Sequence, residues 1–124
     1  MIDFNKAAIF KLKKVDENGV IEDIYPLFIY EEEIIGVYKG VRDYVAFTNK
    51  RIIAVDVQGM TGKKKDFSSL PYSKIQAFSV ETAGHFDLDS ELEIWFSGLG
   101  KVKFDFTGGS DILKIGNLIS NFIL

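Results

Sequence analysis

Between Glu91 and Phe106 the sequence alternates with a period of two. Leu92, Ile94 and Phe96 fall on one side against Glu91, Glu93 and Trp95, and beyond a turn at Gly98 to Gly100, Val102, Phe104 and Phe106 oppose Lys101, Lys103 and Asp105. Successive strand side chains point to opposite faces, so this segment is a hairpin with one apolar and one wet face. Glutamates of the first strand and lysines of the second can pair across the wet face. A lone hairpin is marginal in water, so the apolar face demands further strands or a helix.

Most of the chain answers that demand with the same period. Candidate strands fall at Ile34–Lys39, Asp43–Thr48, Arg51–Val57, Lys63–Leu70 and Gln76–Thr82, which with the hairpin makes about seven antiparallel strands. Their separators carry turn chemistry: Gly40 and Arg42, then Asn49-Lys50, then Gly59-Met60-Thr61-Gly62, whose glycines supply positive φ. Pro71 ends the fourth strand because proline cannot donate to a ladder.

Ahead of Glu31-Glu32-Glu33 the period is helical. Phe4, Ala7, Ala8, Leu12 and Val15 recur at helical spacing between Asp3 as cap and Gly19 as stop, and Ile21, Ile24, Leu27 and Phe28 predict two shorter pieces split at Pro26. At the other end, Ser110 is the expected N-cap and Asp111 the favourable first-turn charge of a helix striped by Ile112, Ile115, Ile119, Phe122 and Ile123. The expected architecture is mainly β with helices. A helical lead-in over residues 1–33 precedes a domain over 34–124, whose strands curl into a β-roll or partly open barrel capped by the C-terminal helix.

At 124 residues the chain is expected to be one domain, because two cores of the usual size would not fit. Having no cysteine, it excludes disulfides, thiol nucleophiles, iron–sulfur ligation and thiolate zinc sites, and its one histidine, His85, excludes a multi-histidine metal centre within a chain. No cofactor is expected. A net charge of −3 argues against the basic face that displaces counterions from nucleic acid. Lys11, Lys13 and Lys14 follow the first apolar patch in the wrong order for a signal peptide, and Ile24–Tyr30 is far too short to cross a bilayer, so the cytoplasm is the expected compartment.

Four stretches, Arg42 to Arg51, Gln58 to Lys64, Leu70 to Tyr72 and Val80 to Asp89, resemble the bacterial PH-domain family also called DUF1696. The likeness spans most of the chain from Ile34 onward. It implies a pleckstrin-homology-like β-roll without catalytic activity that assembles into a dome-shaped, five-fold ring. It further implies a hydrophilic surface, where strands of adjacent protomers meet, that engages a protein partner. The family supplies no catalytic residues to carry over.

The candidate contact residues come from side-chain chemistry instead. Lys63, Lys64 and Lys65 follow the Met60 turn and form the strongest cationic cluster. Alternation sets Lys64 on the face opposite the other two, which suits an edge strand kept soluble by charge as much as an anion site. Contact of this loop with an anionic lipid surface is the alternative to protein interaction. Lys39 and Arg42 flank the first hairpin turn, where phosphoinositide-binding PH domains gather basic residues, but Asp43 beside them makes a thin site.

Arg51, with Tyr44, Tyr72 and Lys74, offers the tyrosine and cation mix that interfaces favour. Trp95 lies on the polar face of its strand, covered by the N-terminal helices or held for a partner. His85, Asp87, Asp89 and Glu91 bring metal-type donors close together, but without the turn glycine and distal glutamate of a calcium loop; no metal is expected. Gly59-x-x-Gly62-Lys63 lacks Walker spacing and leads into a strand, not the helix N-terminus that a phosphate loop needs.

Overall fold

The computed structural model describes Phe4 and residues 9–86, 88–107 and 111–124. Its first element is a strand, β1 (Ile9–Val15), where the sequence predicts the second half of a helix. A 3-10 turn (Glu17–Gly19), one α-helical turn, α1 (Ile21–Ile24), and a second 3-10 turn (Tyr25–Leu27) follow, the last holding Pro26 among its first residues, where the sequence predicts a fresh helical start. Then come β2 (Ile34–Lys39), β3 (Tyr44–Thr48), β4 (Arg51–Gln58), β5 (Lys64–Pro71), β6 (Ile75–Glu81), β7 (Ser90–Phe96), β8 (Gly100–Phe106) and α2 (Ile112–Ile123).

Among the described residues the strands number eight, not seven, in one sheet ordered β5-β4-β3-β2-β1-β8-β7-β6. The sheet is open and does not close into a barrel: β5 and β6 are its two edges. β1 joins the two halves, antiparallel to β2 and parallel to β8, the one departure from antiparallel pairing. Ile9 stands opposite Phe104 and Leu12 opposite Phe106, so three steps along β1 match two along β8. That is a bulge, and Lys11 within it has a φ of 51°. The bulge breaks the period of two and leaves spacings that imitate a helix. Ladder partners on both sides decide for strand, because a β preference is set by context more than by the residue itself.

The inner face of the sheet carries the main core. Leu12, Val45, Phe47, Ile52, Leu92, Ile94, Phe104 and Phe106 lie buried under Ile112, Ile115 and Ile119 of α2. A chain of edge-on rings crosses it: Phe106 to Tyr38 at 5.1 Å, Tyr38 to Phe47 at 5.7 Å, and Phe47 to Phe104 at 6.4 Å. α2 is capped by Asp111, whose carboxylate accepts from the Lys114 N–H at 3.2 Å, while Ser110, the expected cap, lies outside the described residues. A Cβ on Gly116 would stand 3.0 Å from Val80 Cγ2, so this glycine lets the helix settle onto β6. Phe122 is half exposed and stacks on Tyr72 at 5.2 Å, at the margin of the core.

A second, smaller core lies on the outer face of β2 to β5, where Val20 and Ile24 cover Val37, Tyr44, Ala46, Ile53 and Val55. β3 is therefore buried on both sides. The lead-in thus packs onto the sheet, and an ion pair pins its end. Glu32, fully buried at its carboxylate, accepts from Arg51 Nη2 at 2.9 Å, Arg51 Nε at 3.0 Å, Thr48 Oγ1 at 2.7 Å and the Ile29 N–H at 3.2 Å.

Candidate interaction surfaces

The outer face of β6, β7 and β8 contrasts with the covered half. Ala77, Ser79 and Glu81 of edge strand β6 are exposed, and Glu91, Glu93, Trp95, Lys103 and Asp105 are half-buried beside them. Cross-strand register sets Ser79 against Glu93 and Glu93 against Lys103, and Ala77 against Trp95 and Trp95 against Lys101. The expected glutamate–lysine pairing runs diagonally, Lys103 to Glu91 at 3.1 Å and Lys101 to Glu93 at 3.9 Å. Trp95 accordingly sits between Ala77 and Lys101 on a polar, strand-built surface.

One row of that surface is electrostatically unfavourable: Glu81, Glu91 and Asp105 stand opposite one another on adjacent strands. Asp105 Oδ1 is buried with no hydrogen-bond partner among the described residues. Burial pushes the Asp105 carboxyl above the usual carboxylate range; Lys103 opposes that, and Glu91, Asp89 and Glu93 add to it. A carboxyl whose folded pKa is raised costs stability once ionised, and the cost is relieved as pH falls through the folded value. Asp105→Asn is therefore expected to raise stability at neutral pH by up to about 1 kcal/mol, a gain limited by solvent screening, and to leave it unchanged at acid pH. Denaturant titrations at the two pH values check this.

The basic candidates separate into two groups. Lys39, Arg42, Lys63 and Lys64 are exposed at the ends of the β2–β3 and β4–β5 hairpins. Arg42 ties the two turns by donating to the Gly59 carbonyl, and Asp43 Oδ1 accepts from the Val57 N–H at 2.9 Å. Beside these cations stand two apolar tips, Val41, 95% exposed, and Met60, fully exposed. Val41 is a contact candidate that sequence reading missed, although a lone apolar residue between Gly40 and Arg42 was its signal.

Lys65 and Arg51 turn inward to their own chain. Lys65 Nζ pairs with Asp23 Oδ2 at 3.1 Å, and the same oxygen accepts from Tyr44 at 3.2 Å, so this lysine helps hold α1 on the sheet. Besides Glu32, Arg51 donates to the Leu27 carbonyl at 2.6 Å and to Ser69 Oγ at 3.0 Å. Four of its donor contacts are thus made within the protomer.

His85, Phe86, Leu88 and Asp89 belong to the long β6–β7 loop and are exposed; Asp87 lies outside the described residues. Among the described residues no group of three or more histidines and carboxylates is placed to hold a metal ion. Among the described residues no helix is long and apolar enough to cross a membrane.

The model of the family described as bacterial PH domain matches residues 3–123. Uncharacterized protein YjqA of Bacillus subtilis (strain 168) is 54% identical over 80 residues, covering 64% of this chain and 64% of its own length. Uncharacterized protein YvbH of the same organism is 36% identical over 122 residues, covering 90% of this chain and 58% of its own length. The chain thus spans less than two thirds of the length of these curated relatives.

Two crystal structures share the fold. A DUF1696 family protein with a pleckstrin-homology domain from Shewanella loihica PV-4 aligns with a TM-score of 0.80 at 38% identity, over 92% of this chain and 98% of that one. The pleckstrin homology domain from Shewanella amazonensis SB2B aligns with a TM-score of 0.68 at 38% identity, over 96% and 93%. On the family match over nearly the whole chain and the fold likeness to these structures, the chain belongs to the bacterial PH-domain family.

Proposed function

We propose that this chain is a non-catalytic, cytoplasmic PH-like module that assembles with copies of itself into a closed ring, five-fold in the simplest form, and presents a polar surface to a protein partner. The open sheet supports this reading: β5 and β6 are its two edges, each with one side that meets no further strand among the described residues, a template for pairing with another chain. The uncovered face of β6 to β8, with Trp95 among paired charges, adjoins one of those edges. A contact between two unlike edges is head-to-tail, and such contacts close into rings when the rotation permits. Size-exclusion chromatography with light scattering tests the assembly. The expected result at micromolar concentration is a mass several times 14.0 kDa, about 70 kDa for a five-fold ring, and a 14.0 kDa monomer there defeats the reading.

A second reading, contact with anionic lipid, is favoured by the pair of hairpin tips. Val41 and Met60 are apolar and exposed, with Lys39, Lys63 and Lys64 around them, a combination suited to an acidic membrane surface. Co-sedimentation with phosphatidylserine-containing vesicles at low salt, lost at high salt, would favour it. An absence of pelleting at low salt retires it.

A further inference from the structure

Resting on the self-assembly reading, we propose how one copy grips the next: the β6–β7 loop inserts Phe86 and Leu88 into a cleft between β2 and α2 of a second copy of this chain. The loop continues directly from edge strand β6 and carries its two apolar side chains outward, Phe86 98% exposed and Leu88 65% exposed. The Phe86 ring meets the neighbouring His85 edge-on at 4.9 Å and belongs to neither core. Two large apolar side chains on a surface loop give up water contact only when something covers them.

The cleft is the complementary feature. It measures about 260 Å³, with Gly36, Tyr38, Phe47 and Leu118 among its apolar lining and Lys14 and Lys114 at its rim. The volume equals that of roughly nine waters, enough for a phenyl ring and the end of a leucine. Gly36 helps to keep it open. No left-handed φ requires glycine there, yet a Cβ would stand 3.3 Å from Tyr38 Cε2.

Charge matches as well as shape. The loop reads Phe86-Asp87-Leu88-Asp89, alternating apolar and acidic residues. Lys14 and Lys114 are exposed, and neither takes part in an ion pair among the described residues. Because Phe86 is exposed in the protomer, the loop does not fill its own cleft, and a second copy is the occupant that carries the matching loop. Loop and cleft are different surfaces, so the contact is head-to-tail and consistent with a ring.

Mixing two full-length variants tests this. Phe86→Ser with Leu88→Ser removes the plug, and Lys14→Glu with Lys114→Glu reverses the rim. All four positions are exposed, so both variants are expected to keep the wild-type circular dichroism and melting temperature. If the rim variant melts early, Asn117→Glu on the exposed side of α2 replaces it. Light scattering is expected to give 14.0 kDa for each variant alone and twice that for an equimolar mixture, in which one intact loop meets one intact cleft. A loop variant that keeps the wild-type assembly mass, or a mixture that stays monomeric, overturns the loop-in-cleft contact while leaving self-assembly standing. A wild-type chain of 14.0 kDa overturns self-assembly, and this contact with it.

Discussion

Arg51→Ala is expected to cost the protomer about 3 kcal/mol or more, because it strands the Glu32 carboxylate, which is fully buried, without its guanidinium partner. Chemical denaturation read by circular dichroism gives the value. The same substitution releases the Leu27 carbonyl and Ser69, so the 3-10 turn over Tyr25–Leu27 loses its tie to β4 and β5. Burial alone would raise the Glu32 pKa, but hydrogen bonds from Arg51, Thr48 and the Ile29 N–H, with the charge of Arg51, leave it below the ordinary carboxylate value. A depressed carboxyl contributes stability that is present above the unfolded pKa, about 4.3, and is lost as pH falls through the folded value. Acid unfolding should therefore lose part of its pH dependence in Glu32→Gln, and an unchanged acid limb would show that the pair contributes nothing.

Phe47→Ala is expected to destabilise by about 3–5 kcal/mol, the range for deleting a buried ring and leaving a cavity. Phe47 is buried on the interior strand β3 and lies between Tyr38 and Phe104 in the chain of rings that links the two halves of the sheet. Phe122→Ala is its control. That ring is half exposed and stacks only on the margin at Tyr72, so its loss should cost about 1 kcal/mol. The ratio of the two effects, measured by denaturant midpoints, locates the centre of the core.

Both phenylalanines occupy apolar positions that pattern alone treats alike, which shows where the sequence is legible. The period of two placed β2 to β8 within a residue or two, because each has one face on a core and its neighbours repeat the alternation. β1 escaped because its bulge at Lys11 breaks that alternation and because its partners, β2 and β8, are remote in the chain. Glu32 escaped for a related reason. In Glu31-Glu32-Glu33 nothing local distinguishes the middle carboxylate, and what buries it is Arg51, nineteen positions on.

The candidate contacts divide along the same line. Lys39, Arg42, Lys63 and Lys64 lie at hairpin ends, which turn residues announce, and they are exposed as that placement implies. Lys65 and Arg51 carry the same charge but meet Asp23 and Glu32 across the fold. Charge is read from the residue, whereas availability depends on a partner that only the tertiary structure supplies. The family resemblance from Ile34 onward is matched over residues 3–123, which brings the N-terminal strand into the same family unit.

The edges of the sheet decide the central claim. Hydrogen exchange read by mass spectrometry, at high concentration and after dilution, reports whether the outward amides of β5 (Lys64–Pro71) and β6 (Ile75–Glu81) are paired. Self-assembly predicts that these amides exchange at least about tenfold more slowly at high concentration and lose that protection on dilution. Edge amides that exchange at the same unprotected rate at every concentration would contradict it.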